Sequence, residues 1–385
     1  MNSFEFYNPV KILFGEGKVD EIANEIPKDA VVLITYGGGS IKKNGIYQKV
    51  MNALKGFKVV EFGGIEPNPK YEDLMKAVDY ARKEQATFLL AVGGGSVIDG
   101  TKFIAAAVPF TGDPWNLLVG GKAFVVEDAL PIGTVLTLPA TGSEMNSGAV
   151  VSRKSTQEKY SFGSPLLFPK FSVLDPTFTY SLPETQVANG VVDAFIHVTE
   201  QYLTYLHQGH IQDRWSEGVL QTLVEFGPQA IANPLSYDVR SNIMWSCTMA
   251  LNGILSVGVP TDWATHMIGH ELTAFFGLDH AVTLAIILPS LLRTMRDEKK
   301  LKLLQYGNRV WGIEGGTDDV RVDKAIEATE EFFQSLGVKT RLADYGITMD
   351  QLKPIVERFK QRGWKLGENK TITSDVIETI LKGAL

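Results

Sequence analysis

The sequence predicts an N-terminal doubly wound, Rossmann-like α/β domain with a parallel sheet, followed by an all-helical domain. Three observations carry that expectation. The 385 residues exceed the length over which one hydrophobic core keeps growing, so two domains are expected. In the first half, short β-rich runs alternate with amphipathic helical stretches. After about residue 182 the strand signal stops, and helix-length segments follow one another.

The strand candidates are 31–36, 58–62, 88–92 and 132–138, each a short run rich in β-branched and apolar residues. Between them, 71–83 reads as a crossover helix, because Leu74, Ala77, Val78 and Ala81 fall on one face at helical spacing. Strand, helix, strand repetition implies a parallel sheet covered on both sides, with ligands expected at the strand C-terminal ends. In the second half the helix candidates include 186–206, 238–255, 263–276 and 322–336. Ser181-Leu182-Pro183-Glu184 reads as a capping box with Ser181 at the N-cap and Glu184 at the third helical position. The expected division is therefore 1–182, a dinucleotide-binding domain, and 183–385, a helical domain for metal and substrate.

Composition removes several function classes. Acidic residues outnumber basic ones, 44 to 37, for a net charge of −7, which disfavours a nucleic-acid partner. Cys247 is the single cysteine, so an intramolecular disulfide, a thiolate zinc finger and an iron–sulfur cluster are all excluded. The opening MNSFEFYNPVKILFG has neither the pattern of a secretory signal nor that of a transit peptide, and the expected location is cytoplasmic. The apolar run 281–292 is interrupted by Thr283 and Pro289 and is shorter than the roughly 20 residues that span a bilayer, so no membrane association is expected.

Of six histidines, four fall where a metal site would need them. Asp193 and His197 lie four apart on one predicted helix and so share a face. His266 and His270 do the same on another, and His280 follows the break Gly277-Leu278-Asp279, which returns the chain before the next helix. Asp193, His197, His266 and His280 make three imidazoles and one carboxylate, a set suited to Fe(II) or Zn(II). A surface pair explains either motif alone; both together, in a chain poor in histidine, point to a metal. His207 and His210 lie in a polar, turn-like stretch and are expected to be exposed and without a role.

The apolar strand 88–92 runs into Gly93-Gly94-Gly95-Ser96 and then a helix, an arrangement that lets backbone N–H groups approach a pyrophosphate. Ile98 stands where a Gly-x-Gly-x-x-Gly fingerprint has its last glycine, so a plain tight turn is the competing reading. A second loop, Gly37-Gly38-Gly39-Ser40-Ile41-Lys42-Lys43, lacks the carboxylate that would hold the ribose of NAD. Its serine and lysines favour a 2′-phosphate, hence NADP(H) over NAD(H). The third loop, Thr137 to Glu144, offers uncharged hydroxyls suited to a nicotinamide amide.

With Gly93-Gly94-Gly95-Ser96-x-x-Asp99, Thr137 to Glu144, Asp193-x-x-x-His197 and His266-x-x-x-His270-x9-His280 in this order, the chain resembles the iron-containing (group III) alcohol dehydrogenase family over nearly its whole length. The loop Tyr36 to Ser40 and the stretch Asn189 to Phe195 place it nearest the bacterial NADPH-dependent aldehyde reductases and butanol dehydrogenases. The resemblance implies that Asp193, His197, His266 and His280 hold the metal in a cleft between the domains, with His270 beside the nicotinamide. It implies cofactor contacts from Gly37, Gly38, Ser40, Asn68, Gly94, Gly95, Ser96, Asp99, Thr137, Thr141, Ser143 and Lys159. The implied reaction is hydride transfer between NADP(H) and a primary alcohol or aldehyde, short to medium and aliphatic, with a homodimer as the expected assembly.

Two departures stand out: Ala281 follows the last ligand where many relatives have glycine, and Gly37 stands where many have aspartate, which again favours NADP(H). His270, one turn from His266, suits a proton relay or, equally, a hydrogen-bonding partner of the ligands. The rival on this scaffold is a phosphorylated-polyol dehydrogenase or a dehydroquinate synthase-like lyase, which needs cations near the metal; 193–205 and 262–278 contain neither Lys nor Arg. Asn146, Trp263 and Phe275 fit either a pocket lining or ordinary packing.

Overall fold

The computed structural model describes residues 1–119 and 125–385. Its strands and helices divide between two units: Tyr7–Pro183 with Pro234–Thr248, and Met1–Phe6 with Glu184–Asn233 and Met249–Leu385.

The first unit holds β1 (Lys11–Phe14), β2 (Val31–Tyr36), α1 (Ser40–Lys43), α2 (Ile46–Ala53), β3 (Lys58–Phe62), α3 (Tyr71–Glu84), β4 (Phe88–Gly94), α4 (Gly95–Ala107), α5 (Asn116–Val119), β5 (Ile132–Leu138), β6 (Gly148–Arg153), β7 (Glu158–Gly163) and β8 (Phe171–Leu174). Six strands form a parallel sheet in the order β1-β8-β5-β4-β2-β3, and β6 pairs antiparallel with β7. Both faces of the sheet are buried. Leu33, Leu89, Ala91 and Leu136 point to the side covered by Leu74, Ala77, Val78 and Ala81 of α3 and Phe103 of α4. Their neighbours Val32, Ile34, Leu90, Val92 and Val135 point to the other, against Ile41, Ile46 and Val50. Successive residues of a strand face opposite ways, so a strand buried on both sides reads as a continuous apolar run, as 88–92 does.

The second unit is helical: α6 (Glu184–Tyr202), α7 (His210–Ala232), the last two residues of α8 (Tyr237–Ala250), α9 (Ala264–Phe276), α10 (His280–Thr294), α11 (Lys300–Trp311), α12 (Asp318–Ser335), α13 (Met349–Arg362) and α14 (Ser374–Gly383). From Gly190 to Tyr202 every residue of α6 is buried, so this helix forms the centre of the unit. The α/β plus all-α architecture is the one the sequence predicts.

The differences are local. Glu184 is the first helical residue of α6, so the capping box does not form. The preceding 3-10 turn, Pro176–Thr179, carries on through Leu182, whose N–H donates to the Thr179 carbonyl, and Ser181 hydrogen-bonds the Asn44 amide at 3.1 Å instead. Helix α8 stops at Ala250, short of the expected 255, before Gly253 takes a left-handed turn. His207 is half-buried and lies 3.6 Å from Asp213, contrary to the surface position expected of it, whereas His210 is exposed. Strands β1 and β8, four residues each, carry too short a pattern to be read from the sequence, and the β6–β7 hairpin, six residues a strand, was not anticipated either.

Candidate active site

In the helical unit, α6 presents Asp193 and His197 four residues apart, α9 presents His266, and His280 is the first residue of α10. Gly277, left-handed with φ 70°, ends α9 and lets the chain reverse within three residues. One donor atom from each of the four side chains lies within 4.8 Å of every other. Asp193 Oδ1 is 3.6 Å from His197 Nδ1 and 3.7 Å from His280 Nε2. Bonds of about 2.0–2.2 Å to one tetrahedral ion place its donors roughly 3.3–3.6 Å apart, close to the two distances measured from Asp193. Donor set and spacing therefore fit a divalent cation.

Glu200, which sequence reasoning missed, holds His266 in place. Its carboxylate accepts from His266 Nδ1 and, at 2.6 Å, from the backbone N–H of Thr265. A ligand imidazole is oriented in this way when its far nitrogen donates to a carboxylate, leaving the other nitrogen for the ion. Burial, with the neighbouring Asp262 adding to it, pushes the Glu200 carboxyl well above the ordinary range. The signal was available: Asp193, His197 and Glu200 sit at i, i+4 and i+7 on one helix.

His270 is buried, and its ring centroid lies 6.3 Å from that of His266 and 5.4 Å from that of His280. Trp263 precedes α9 and flanks His266 at 5.4 Å and His197 at 6.3 Å. Phe275 lies under the Arg358 guanidinium at 4.2 Å. Arg358 and Arg362 of α13 reach α9 through Glu271, at 2.7 and 2.6 Å, so the cations that the third dimension adds near the site are already paired with a carboxylate.

In the α/β unit, the three polar loops follow β2, β4 and β5, neighbours in the parallel sheet, and so share its C-terminal edge. Strand β4 passes into α4 with no intervening residue, at Gly94–Gly95. A Cβ on Gly94 would come within 3.0 Å of Leu138, and one on Gly95 would overlap Thr141, so glycine is what lets the two strand exits sit side by side. Ser96 follows in the first turn of α4. Asn68, left-handed at φ 52°, accepts from Lys159 Nζ at 2.9 Å.

Asp99 and Ser143 are engaged with the scaffold. Ser143 Oγ donates to Asp99 at 2.6 Å, the Val150 N–H donates to the same carboxylate at 2.9 Å, and the fully buried Lys102 ammonium donates to Ser143 Oγ (2.9 Å), Asn146 Oδ1 (3.0 Å) and the Gly148 carbonyl (2.7 Å). Burial lowers the Lys102 ammonium to about 8 and raises the Asp99 carboxyl. Lys102, unlike Glu200, had no sequence signal beyond its place one turn after Asp99. At the far loop, Gly37, Gly38 and Ser40 leave β2, but Lys42 is 2.9 Å from Glu61 of β3, with Tyr36 and Tyr47 beneath it. The loop has no acid of its own, yet the neighbouring strand supplies one.

Two family models account for nearly all of the sequence: residues 9–176 match the iron-containing alcohol dehydrogenase model, and residues 187–385 match that of the Fe-containing alcohol dehydrogenase family, C-terminal. The chain belongs to the iron-containing alcohol dehydrogenase family. Among curated relatives, it is 56% identical to the NADPH-dependent aldehyde reductase YqhD of Escherichia coli, over the full length of both. It is 42% identical to the probable NADH-dependent butanol dehydrogenase 1 of Bacillus subtilis, again end to end. The crystal structure of E. coli YqhD superposes with a TM-score of 0.98, covering 100% of this chain and 99% of that one. The NADH-dependent butanol dehydrogenase A structure from Thermotoga maritima gives 0.95 at 36% identity, with the same coverage.

Proposed function

We propose that this protein is an NADP(H)-dependent aldehyde reductase and alcohol dehydrogenase acting on aliphatic substrates, with a divalent ion, Fe(II) or Zn(II), held by Asp193, His197, His266 and His280. The observation that carries the reading is the four-donor cluster within 4.8 Å, in a chain of this family. The 56% identity to an NADPH-dependent aldehyde reductase supports the reaction. When bound, the ion supplies Lewis acidity and the dinucleotide supplies or accepts the hydride.

The protein's own residues do the rest. Glu200 keeps the outer nitrogen of His266 occupied as a donor, so the inner one faces the donor cluster. His270, beside His266 and His280, exchanges the substrate proton with solvent. Gly94, Gly95 and Ser96 at the start of α4 offer backbone N–H groups to the pyrophosphate. Asn68, Thr137, Thr141 and Lys159 are assigned to the rest of the dinucleotide, with Lys159 of the β6–β7 hairpin tied to Asn68, and Asp99 and Ser143 act by fixing the loop between them.

NADP(H) is preferred in this reading because Gly37 stands at the end of β2 and a Cβ there would approach the Ile65 carbonyl at 3.2 Å, leaving little room for an acid; Gly38 and Ser40 remain open to a 2′-phosphate. The division of labour is that of 1–182 for the dinucleotide and 183–385 for metal and substrate. A cytoplasmic setting suits a chain with a single cysteine, Cys247; among the described residues no helix is long and apolar enough to cross a membrane. A homodimer is proposed on the exposed Tyr205, Leu206, Ile211 and Trp215, a run of large apolar side chains, and sedimentation velocity tests it.

The deciding experiment follows oxidation of NADPH and of NADH with butanal, before and after chelation and with Fe(II) or Zn(II) restored. Metal-restored NADPH oxidation is expected. Faster NADH oxidation would overturn the cofactor preference alone, and no oxidation of either cofactor across several aldehydes would overturn the reaction.

A further inference from the structure

Among the described residues, five that are not glycine take a left-handed backbone: Asn68, Gln85, Gln157, Lys370 and Trp263. Four are polar side chains of the kind that tolerate such turns; tryptophan is the bulky exception, at φ 67° and ψ 8°. Among the described residues, the other positive-φ positions are all glycine. The residues beside Trp263 are tied down independently of the indole. The Asp262 N–H donates to the Glu200 carbonyl at 2.9 Å, Asp262 Oδ1 accepts from the Ala264 N–H at 2.9 Å, and Asp262 Oδ2 pairs with the buried Lys299 at 2.9 Å. Lys299 also donates to the Leu203 carbonyl at the end of α6, so α6 and the start of α9 are cross-linked through it. This anchoring dictates the left-handed turn; glycine would satisfy it without strain.

What the chain gains by placing tryptophan there is an indole edge-on to His266 (5.4 Å, 73°) and tilted over His197 (6.3 Å), half-buried rather than sunk in the core. We infer that Trp263 is a specificity-determining wall of the metal site, held in a strained backbone so that its ring shields the ligand imidazoles from water and limits the bulk of the carbonyl compound beside them. The inference rests on the metal-centre reading above. An apolar shell around a metal controls solvent access to it, and a rigid aromatic wall sets which substrate shapes fit.

The test compares full-length Trp263→Phe, Trp263→Ala and Trp263→Gly with the parent chain. Three quantities are read: release of bound Zn(II) into a chromogenic chelator, the ratio of kcat/KM for 2-methylpropanal to that for butanal, and thermal unfolding of the metal-free protein. Trp263→Ala and Trp263→Gly are expected to release metal about tenfold faster and to raise the branched-to-linear ratio about tenfold, with Trp263→Phe in between. Both remove the indole, but only glycine relieves the backbone, so Trp263→Gly should melt roughly 2–4 °C above Trp263→Ala. Equal melting of those two would overturn the strain. Lower melting of both with unchanged release and unchanged ratio would show a packing role and overturn the wall. A parent chain that binds no metal would instead overturn the metal-centre reading itself, and this inference with it.

Discussion

Glu200→Gln isolates how the metal site is held together. The side chain is nearly isosteric, and its remaining oxygen can still accept from the Thr265 N–H, which lies 2.6 Å from Glu200 Oε1. The other arm changes from acceptor to donor where it meets His266 Nδ1. His266 must then either lose that hydrogen bond or turn its Nδ1 into an acceptor, and the second choice puts the ring proton on Nε2, where it blocks ligation. A hydrogen bond to a charged group contributes about 1.5–3 kcal/mol, in line with the 10–100-fold loss of metal affinity typical when such a partner is removed. The expected result is a Zn(II) dissociation constant raised about 10–100-fold in a competition titration with a chromophoric chelator. The metal-free protein should melt close to the parent, because burial already favours the neutral form of the Glu200 carboxyl and a neutral amide of the same shape replaces it. An unchanged dissociation constant would refute the idea that Glu200 sets the His266 tautomer, as would a metal-free form destabilised as much as the metal-loaded one.

Lys102→Met removes the cation beside Asp99 and the ammonium's hydrogen bonds to Ser143 Oγ, Asn146 Oδ1 and the Gly148 carbonyl, so the α/β unit should lose about 3 kcal/mol, roughly 6–12 °C in Tm by calorimetry. The parent protein carries a pH signature from the same residue. The folded ammonium titrates near 8 and the unfolded one near 10.5, so between those values the unfolded chain binds more protons, and this group's contribution to stability rises with pH. Urea unfolding at pH 7.5 and 9.5 should show that rise in the parent and its absence in Lys102→Met. Gly95→Ala drives a methyl into Thr141 and should cost about 1–3 kcal/mol and weaken NADPH binding, read by cofactor fluorescence; unchanged binding would remove this turn from the cradle. His270→Ala should slow turnover about 100-fold and alter the pH profile; full turnover with an unchanged profile would leave His270 as a packing neighbour of the ligands.

Much of this protein is legible in its sequence because the informative patterns are local. The run 88–92 shows a strand buried on both faces, the spacing of Leu74, Ala77, Val78 and Ala81 shows one face of a helix, and Asp193-x-x-x-His197 needs only helical geometry to bring two side chains together. The order of the motifs was enough to indicate the family, since each keeps its residue types and its place relative to the others. Short elements escaped: β1 and β8 are strands only because their neighbours supply hydrogen-bonding partners far away in sequence. The misread capping box failed for a similar reason, since the preceding 3-10 turn competes for the same residues.

What the sequence determined, then, is which residue types occur at helical or strand spacing, and hence the two-part architecture and the candidate members of each site. Only the tertiary structure decided how those members are held. The carboxylate on His266 comes from another helix, the cation that fastens Asp99 and Ser143 lies beneath their loop, the acid near Lys42 sits on the next strand, and the arginines near α9 arrive from α13 already paired. These are interactions between groups distant along the chain, set by the direction of each side chain and by burial. No spacing rule encodes them, because periodicity describes one element at a time, whereas hydrogen bonds and ion pairs require a donor and an acceptor at a definite distance in space.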